Sequence, residues 1–394
     1  MPLAVYVLGL GIFTQGTSEF MLSGLLPGMA ADLGVSIPDA GLLISAFALG
    51  MVVGAPLLAV ATLRLPRRAT LVGLQVVFVA AHVVGALAPG YGLLFATRVI
   101  GALAYAGFWA VAVATAVTLV PASAKSRAVA MVAGGLTLAT IVGVPAGTVL
   151  SQHASWRAAF WAVAAATVVS AVCTLLALPA DRGAKGVEGA RSVRAELRGM
   201  ARPALWLSYA ITAFTFGAVI VTFSYLASLL TGVTGIRDAA VPVLLALFGA
   251  GGLLGLVIGG RTAHAAPLAT LGWGLAALAV ISALLAVAAH TAVVVVALVF
   301  ALGVAGYVTN PALQSRVFTL APAAPTLVGA TNTAAFNVGN TLAPLLGGLA
   351  IDAGLGYASV AWVGAALAAV GLLGVVWAAR LERTRSFVPV LQNS

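Results

Sequence analysis

The 394-residue chain is 62% hydrophobic and only 7% charged, against about 25% charged in a soluble globular protein, and its mean hydropathy is +1.15. No packed soluble domain hides that much apolar surface, so lipid must cover part of it, and the chain reads as an integral membrane protein. The net charge of +10 comes without a basic block dense enough to follow phosphates, and one cysteine (Cys173) with four scattered histidines offers neither a disulfide nor a metal cage.

A membrane-crossing helix needs about 20 apolar residues. The apolar runs here are continuous, which argues against a transmembrane barrel. Splitting them at Pro, Gly and charged clusters predicts twelve spans, at 3–29, 40–63, 69–88, 91–117, 128–150, 157–178, 204–230, 240–260, 267–289, 292–313, 326–351 and 357–379. The opening MPLAVYVLGLGIF lacks the basic region and small-residue cleavage site of a secretory signal, so it is expected to remain as span 1.

Span 1 carries the first costly residue, Glu19. Gln15, Glu19 and Ser23 recur every four residues and so share a helix face. The loop after span 2, AVATLRLPRRATL, supplies Arg64, Arg67 and Arg68. Span 3 holds His82, a weaker candidate for titration, as is His290 after span 9. Span 4 carries the second costly residue, Arg98, with Tyr105 and Trp109 seven and eleven positions on.

Span 5 contains GVPAG (Gly143, Pro145, Gly147), small residues and a proline suited to close approach and bending. Residues 179–203 form the only extended polar stretch. They read as a cytoplasmic linker, with a short surface helix near 192–199 and anionic lipid as a further possible contact. Span 7 offers Ser208, Thr212, Thr215 and Thr222 with Phe216 and Phe223; span 10 offers Tyr307 and Asn310; span 11 offers Phe336, Asn337 and Asn340, then Pro344 with Gly347 and Gly348. These aromatic and hydrogen-bonding faces would suit an amphiphilic aromatic ligand, although each residue taken singly is better explained as packing or helix-to-helix glue.

Charge placement tests the count. With the N-terminus in the cytoplasm, that side receives sixteen of the 19 Lys and Arg residues, including Lys125, Arg127, Arg261 and Arg316, while the outer loops receive only Arg157 and Arg237. This is a strong positive-inside bias. It places both termini in the cytoplasm and leaves Asp32, Asp39, Asp238 and Asp352 solvated or capping at the outer side.

A shift of 201 positions superimposes Phe13, Thr14 and Gly16 on Phe214, Thr215 and Gly217, Phe47 on Phe248, and Trp161 on Trp362. The predicted fold is therefore all-α, with twelve transmembrane helices in two pseudo-symmetric six-helix bundles. Residues 1–178 form one bundle, 179–203 the linker, and 204–394 the second bundle with its tail. Ligand sites in such repeats lie near midplane between the halves.

Intramembrane charges are expensive and mark function. At 1.5 Å per residue, Glu19 lies about 13 Å and Arg98 about 12 Å below the outer surface, so the two could line one cavity and pair there directly or through water. Dehydration favours a neutral acid and a neighbouring Arg favours the carboxylate, so an acid between the two can take up and release protons. A static pair joining spans 1 and 4 is the bland alternative. The repeat places Ile220 and Val299 at the matching positions, confining any proton chemistry to the first half. An integral membrane enzyme is disfavoured, because no nucleophile, base and metal-ligand set recurs at one depth.

GTSEFMLSGLLP (16–27), RVIGALAYAGFWAVA (98–112), GVPAG with the following WRAAFW, LALFGAGGLLG (245–255) and AAFNVGNTLAPLLGG (334–348) occur in an order that resembles the major facilitator superfamily, in particular its twelve-span drug:proton antiporter branch. The resemblance covers essentially the whole chain and implies that fold, a membrane-embedded coupling acid at Glu19 and a proton-transfer role for Arg98. It gives Gly143, Pro145 and Gly147, with Arg64, Arg67 and Arg68, a conformational role. One departure stands out: Leu63 occupies the position where that branch carries a loop Asp. Spans 1, 2 and 4 look most like actinobacterial chloramphenicol efflux proteins, and sugar-efflux permeases share the EF and GLLP elements.

The resulting expectation is a plasma-membrane exporter of a small amphiphilic drug, chloramphenicol or a relative, driven by the proton gradient without a cofactor or metal. Its partners would be drug, protons and lipid but no nucleic acid, and it would act as a monomer. The candidate binding residues are Gln15, Ser23, Tyr105, Trp109, Thr215, Phe216, Phe223, Tyr307, Asn310, Phe336, Asn337 and Asn340. A sugar or metabolite exporter on the same scaffold is the alternative.

Overall fold

The computed structural model describes residues 1–62, 65–179, 200–322 and 324–386, which are almost entirely helical and contain no strand among them. Leu63, Arg64 and most of the predicted linker lie outside the described residues. The twelve spans are Leu3–Leu33; Ile37–Ala61; Arg67–Ala86; Tyr91–Thr118; Lys125–Leu138 continued by a π turn, Ala139–Gly143, into Val144–His153; Trp156–Ala177; Pro203–Ser224, extended by Leu226–Gly232; Val241–Ala265; Pro267–Val287; Ala292–Val308, extended by Asn310–Leu320; Pro325–Ala350, ending in a π turn, Ile351–Leu355; and Ser359–Ser386. Eleven contain a stretch long and apolar enough to cross a membrane. The twelfth, span 1, has 31 residues, and buried polar residues from Thr14 to Glu19 dilute its apolar character.

Local chemistry sets the breaks. Gly34 adopts φ 65° and ends span 1, its N–H bonding Ala30 O. Ser36 opens span 2, donating to Asp39 Oδ2 at 2.7 Å and accepting from Asp39 N at 3.1 Å. Pro145 lacks the N–H that would continue the helix, and the π turn just before it absorbs the mismatch. Outward faces stay apolar: Leu176 and Val293 are each 83% exposed, which is stable where lipid replaces water.

The halves pack alike. In the first half span 1 lies on 5 and 6, span 2 on 4, and span 3 on 4 and 6; in the second, span 7 lies on 11 and 12, span 8 on 10, and span 9 on 10 and 12. The halves meet through span 2 on 11 and span 5 on 8. These contacts are close at the end of the molecule away from the termini, the far end. There Ser45 Oγ donates to Thr341 O at 2.7 Å and Gln152 Nε2 to Asp238 O at 2.6 Å, while Tyr225, bonded within its own half to Pro344 O at 2.7 Å, packs on Gly41 of span 2.

Three expectations need correction. Span 7 is not one helix, because Tyr225 leaves helical geometry at φ −106° and ψ 12°. Arg316 is not in a loop. Helix continues past it to Leu320, and its buried guanidinium donates to Ser208 Oγ at 3.1 Å and pairs with Glu382 at 2.8 Å. Asp32 is neither a cap nor freely solvated: it pairs with Arg157 and accepts from Trp156 Nε1 at 2.9 Å, tying span 1 to the WRAAFW segment.

Candidate functional site

A cavity of about 510 Å³ lies between the halves, within the usual range for small-molecule pockets, about 300–1,000 Å³. Spans 1, 2, 4 and 5 line it from one side and spans 7, 8, 10 and 11 from the other. It reaches toward the terminus-bearing end, at Ala130 and Ala133 on span 5 and Gln314 on span 10.

Aromatic rings form much of the wall. Tyr105 and Trp109 meet edge-on at 6.1 Å, while Phe216 packs edge-on against Phe336 at 4.9 Å and Tyr307 at 6.4 Å. Between them, Asn310 Oδ1, Asn337 Oδ1, Asn340 Oδ1 and the Tyr105 hydroxyl have no hydrogen-bond partner among the described residues. The Asn337 amide is turned away, its Nδ2 donating to Thr333 O at 3.0 Å. A buried acceptor left unpaired costs about 1–3 kcal/mol, so this wall favours a guest that brings N–H or O–H donors.

Glu19 is the one charged residue on the wall among the described residues. It is 8% exposed, and its Oε1 accepts from Asn340 Nδ2 at 3.3 Å, a bond that crosses from one half to the other.

Arg98 corrects the expected pairing. It is 1% exposed, does not line the cavity, and makes no ion pair with Glu19. Its Nη1 donates to Ser18 Oγ at 2.7 Å and its Nη2 to Ser18 O at 2.9 Å, while its guanidinium lies 4.3 Å over the Phe47 ring. The two charges interact through the low-dielectric interior without touching. The sequence missed the reason: Ser18 Oγ is also 2.6 Å from His82 Nε2, and His82 Nδ1 is 2.9 Å from Phe78 O.

Of the other candidates, Tyr105, Trp109, Phe216, Tyr307, Asn310, Phe336, Asn337 and Asn340 line the cavity, and Gln15, Ser23, Thr215 and Phe223 do not. Gln15 donates to Gly11 O at 3.2 Å and Thr215 to Ile211 O at 2.6 Å. Ser23 is buried, and Phe223 stacks on Phe248 at 4.5 Å. The sequence reading overlooked the wall of span 5, where Ala130, Ala133, Gly134, Thr137 and Thr140 face the cavity; their three-and-four spacing was the available signal.

Gly143 and Gly147 sit against Thr17 and Met21 of span 1, and a Cβ at Gly143 would run into the Thr17 hydroxyl. Arg67 donates to Thr118 Oγ1 at 2.6 Å at the end of span 4. Arg68 is half-buried in the first turn of span 3.

Two matching sets of six helices around a central cavity are the architecture of a secondary transporter. A family model described as Major Facilitator Superfamily matches residues 8–336. The chain is 41% identical over 382 residues, 95% of each chain, to a chloramphenicol resistance protein of Streptomyces lividans. It is 37% identical over 376 residues, again 95% of each, to the inner membrane transport protein YdhP of Escherichia coli K12. Among solved structures, a bacterial homologue of the human lysosomal transporter Spinster, inward-facing and unoccupied, superimposes with a TM-score of 0.77 at 18% identity over 96% of each chain. The nucleoside transporter NupG gives 0.76 at 13% identity, covering 95% of this chain and 99% of that one. The chain belongs to the major facilitator superfamily. It is a multi-pass membrane transporter with that family's fold.

Proposed function

We propose that the protein exports a small neutral amphiphile bearing an aromatic ring and several hydrogen-bond donors, chloramphenicol or a relative, in exchange for entering protons. The observation that carries this reading is Glu19, the one charged group on the cavity wall among the described residues, bonded across the halves to Asn340. The group that takes up a proton can therefore bias how the two halves meet. The aromatic walls and unpaired acceptors suit such a guest, and the relative named for chloramphenicol resistance supports the choice.

In the proposed cycle both termini lie in the cytoplasm of the plasma membrane, and the cavity opens inward. Drug enters among Tyr105, Trp109, Phe216, Tyr307 and Phe336. Its donors compete with Asn340, the halves rock, and Glu19 takes a proton from outside and later yields it to the cytoplasm. Arg98 supplies the nearby positive charge, and no cofactor is required. Neutral drug leaving as a proton enters is also driven electrically, by about 2.3 kcal/mol per charge per 100 mV. A single chain with its surrounding lipid contains every part.

Purified protein in proteoliposomes tests this. An imposed pH gradient should drive chloramphenicol uphill with the wild type, and Glu19→Gln should abolish uphill movement. Equal transport by both refutes coupling through Glu19. Competition by pentoses but not by chloramphenicol would instead assign a sugar exporter.

A further inference from the structure

Coupling through Glu19 and Arg98 leaves His82 and Ser18, both buried beside them, without a role. Donor and acceptor accounting gives them one. A backbone carbonyl only accepts, so the contact between His82 Nδ1 and Phe78 O puts a hydrogen on Nδ1. A guanidinium only donates, so Ser18 Oγ accepts from Arg98 Nη1. Ser18 still has its own hydroxyl hydrogen, and His82 Nε2, 2.6 Å away, accepts it. The chain runs one way, from Arg98 to Ser18 to His82 to Phe78, and it closes only with a neutral imidazole. An imidazolium would put a second donor on Ser18 Oγ and a second cation beside Arg98.

Among the described residues, Arg98 from span 4 is the charge that acts on His82, and Glu19 follows its partner Ser18 in span 1. Span 6 presents the Phe160 ring, 5.5 Å away, and Phe78 of its own helix stacks on it at 4.1 Å.

We propose that His82 is a positioning residue for the coupling pair. By accepting the Ser18 hydroxyl hydrogen it keeps Arg98 docked on Ser18, one residue short of Glu19, so that the acid stays on the cavity wall without a contacting cation. The inference rests on Glu19 being the coupling acid. Arg98 has an alternative partner close by, since Glu19 follows Ser18 in the chain and a guanidinium binds a carboxylate more strongly than a hydroxyl. Without the acceptor at Nε2, the Ser18 hydroxyl turns to its own helix backbone, and Arg98 moves to Glu19. The closed ion pair then holds the carboxylate and stops proton exchange.

The test reads Glu19 directly, by carbodiimide labelling of purified protein at one fixed pH, with Glu19→Gln as background, alongside pH-gradient-driven chloramphenicol transport. His82→Phe keeps the stack on Phe78 but offers no acceptor. It should label Glu19 several-fold less than wild type and lose driven transport. His82→Gln, whose amide oxygen reaches the Nε2 position, should restore most of both. Ser18→Ala, a small change within a helix, should behave as His82→Phe and decides the matter if the Phe variant does not fold. Wild-type labelling in both His82→Phe and Ser18→Ala overturns the proposal. So does failure of His82→Gln with Ser18→Ala unaffected, which would assign the role to the imidazole's own proton. If wild-type transport ignores the pH gradient, the coupling reading falls, and labelling still reports where Arg98 docks.

Discussion

Arg98 is a buried cation whose contacts are a hydroxyl, a backbone carbonyl and the face of Phe47 rather than a carboxylate, and its Nε hydrogen has no partner among the described residues. Such a group is costly to keep in a membrane, and two of its three contacts depend on the planar fork of a guanidinium. A lysine keeps the charge but presents one compact ammonium, unable to bridge Ser18 Oγ and Ser18 O while lying flat on Phe47. Losing one charge-assisted bond costs about 1.5–3 kcal/mol, so Arg98→Lys should lower pH-driven transport by roughly ten- to a hundredfold while leaving chloramphenicol affinity within a few fold. Retention of wild-type transport by the lysine variant would show that charge alone suffices. Glu19 and Arg98 were legible in the sequence because a membrane charges heavily for them. Ser18 and His82 were not, since a serine and a histidine are ordinary until a third helix brings them together. Gln15 and Ser23 misled for a geometric reason: residues four apart drift about 40° around a helix, so only the middle member of the stripe reaches the cavity.

At the level of helices, a close backbone seam joins spans 8 and 10. Gly251, Gly255 and Gly259 lie one turn apart, and a Cβ on any of them would strike the carbonyl of Phe300, Val304 or Val308 on the opposite helix. Backbone cannot step aside as a side chain can, so an added methyl must part the helices. Overpacking of this kind costs about 1–3 kcal/mol. Gly260, on the same helix, has nothing within 4 Å of its Cβ position, and alanine there removes only the helix penalty of glycine, about 1 kcal/mol. Gly255→Ala should therefore lower the apparent Tm of purified protein by several degrees, and Gly260→Ala should leave it unchanged or slightly raised. Equal melting of the two variants would mean that the seam is looser than its geometry. The four-residue glycine spacing is plain in the sequence, yet its partner is not. The same holds for span 5, whose Ala130, Ala133 and Gly134 carry no distinguishing chemistry until spans 10 and 11 stand opposite them across the cavity.

Across the whole molecule, the paired contacts of span 2 with 11 and span 5 with 8 act together. They close the far end through the bonds of Ser45 and Gln152 and the packing of Tyr225 on Gly41, while the cavity reaches Gln314 toward the other end. The 201-residue repeat makes the opposite arrangement reachable, because two similar halves can rock about the central site into a state closed at the terminus end. If the state seen here is favoured by about 1.4 kcal/mol, it outnumbers the other about tenfold. Single cysteines in a Cys173→Ser background read that balance. With an impermeant maleimide, Gln314→Cys should react readily in inside-out vesicles and be slowed by chloramphenicol, whereas Ser45→Cys should resist labelling in right-side-out vesicles. Raising the proton concentration outside should increase Ser45→Cys labelling at the expense of Gln314→Cys, since protonation of Glu19 removes the carboxylate that Asn340 binds. Rapid labelling of Ser45→Cys at rest, or of Gln314→Cys from outside, would contradict both the closed far end and the assignment of the termini to the cytoplasm.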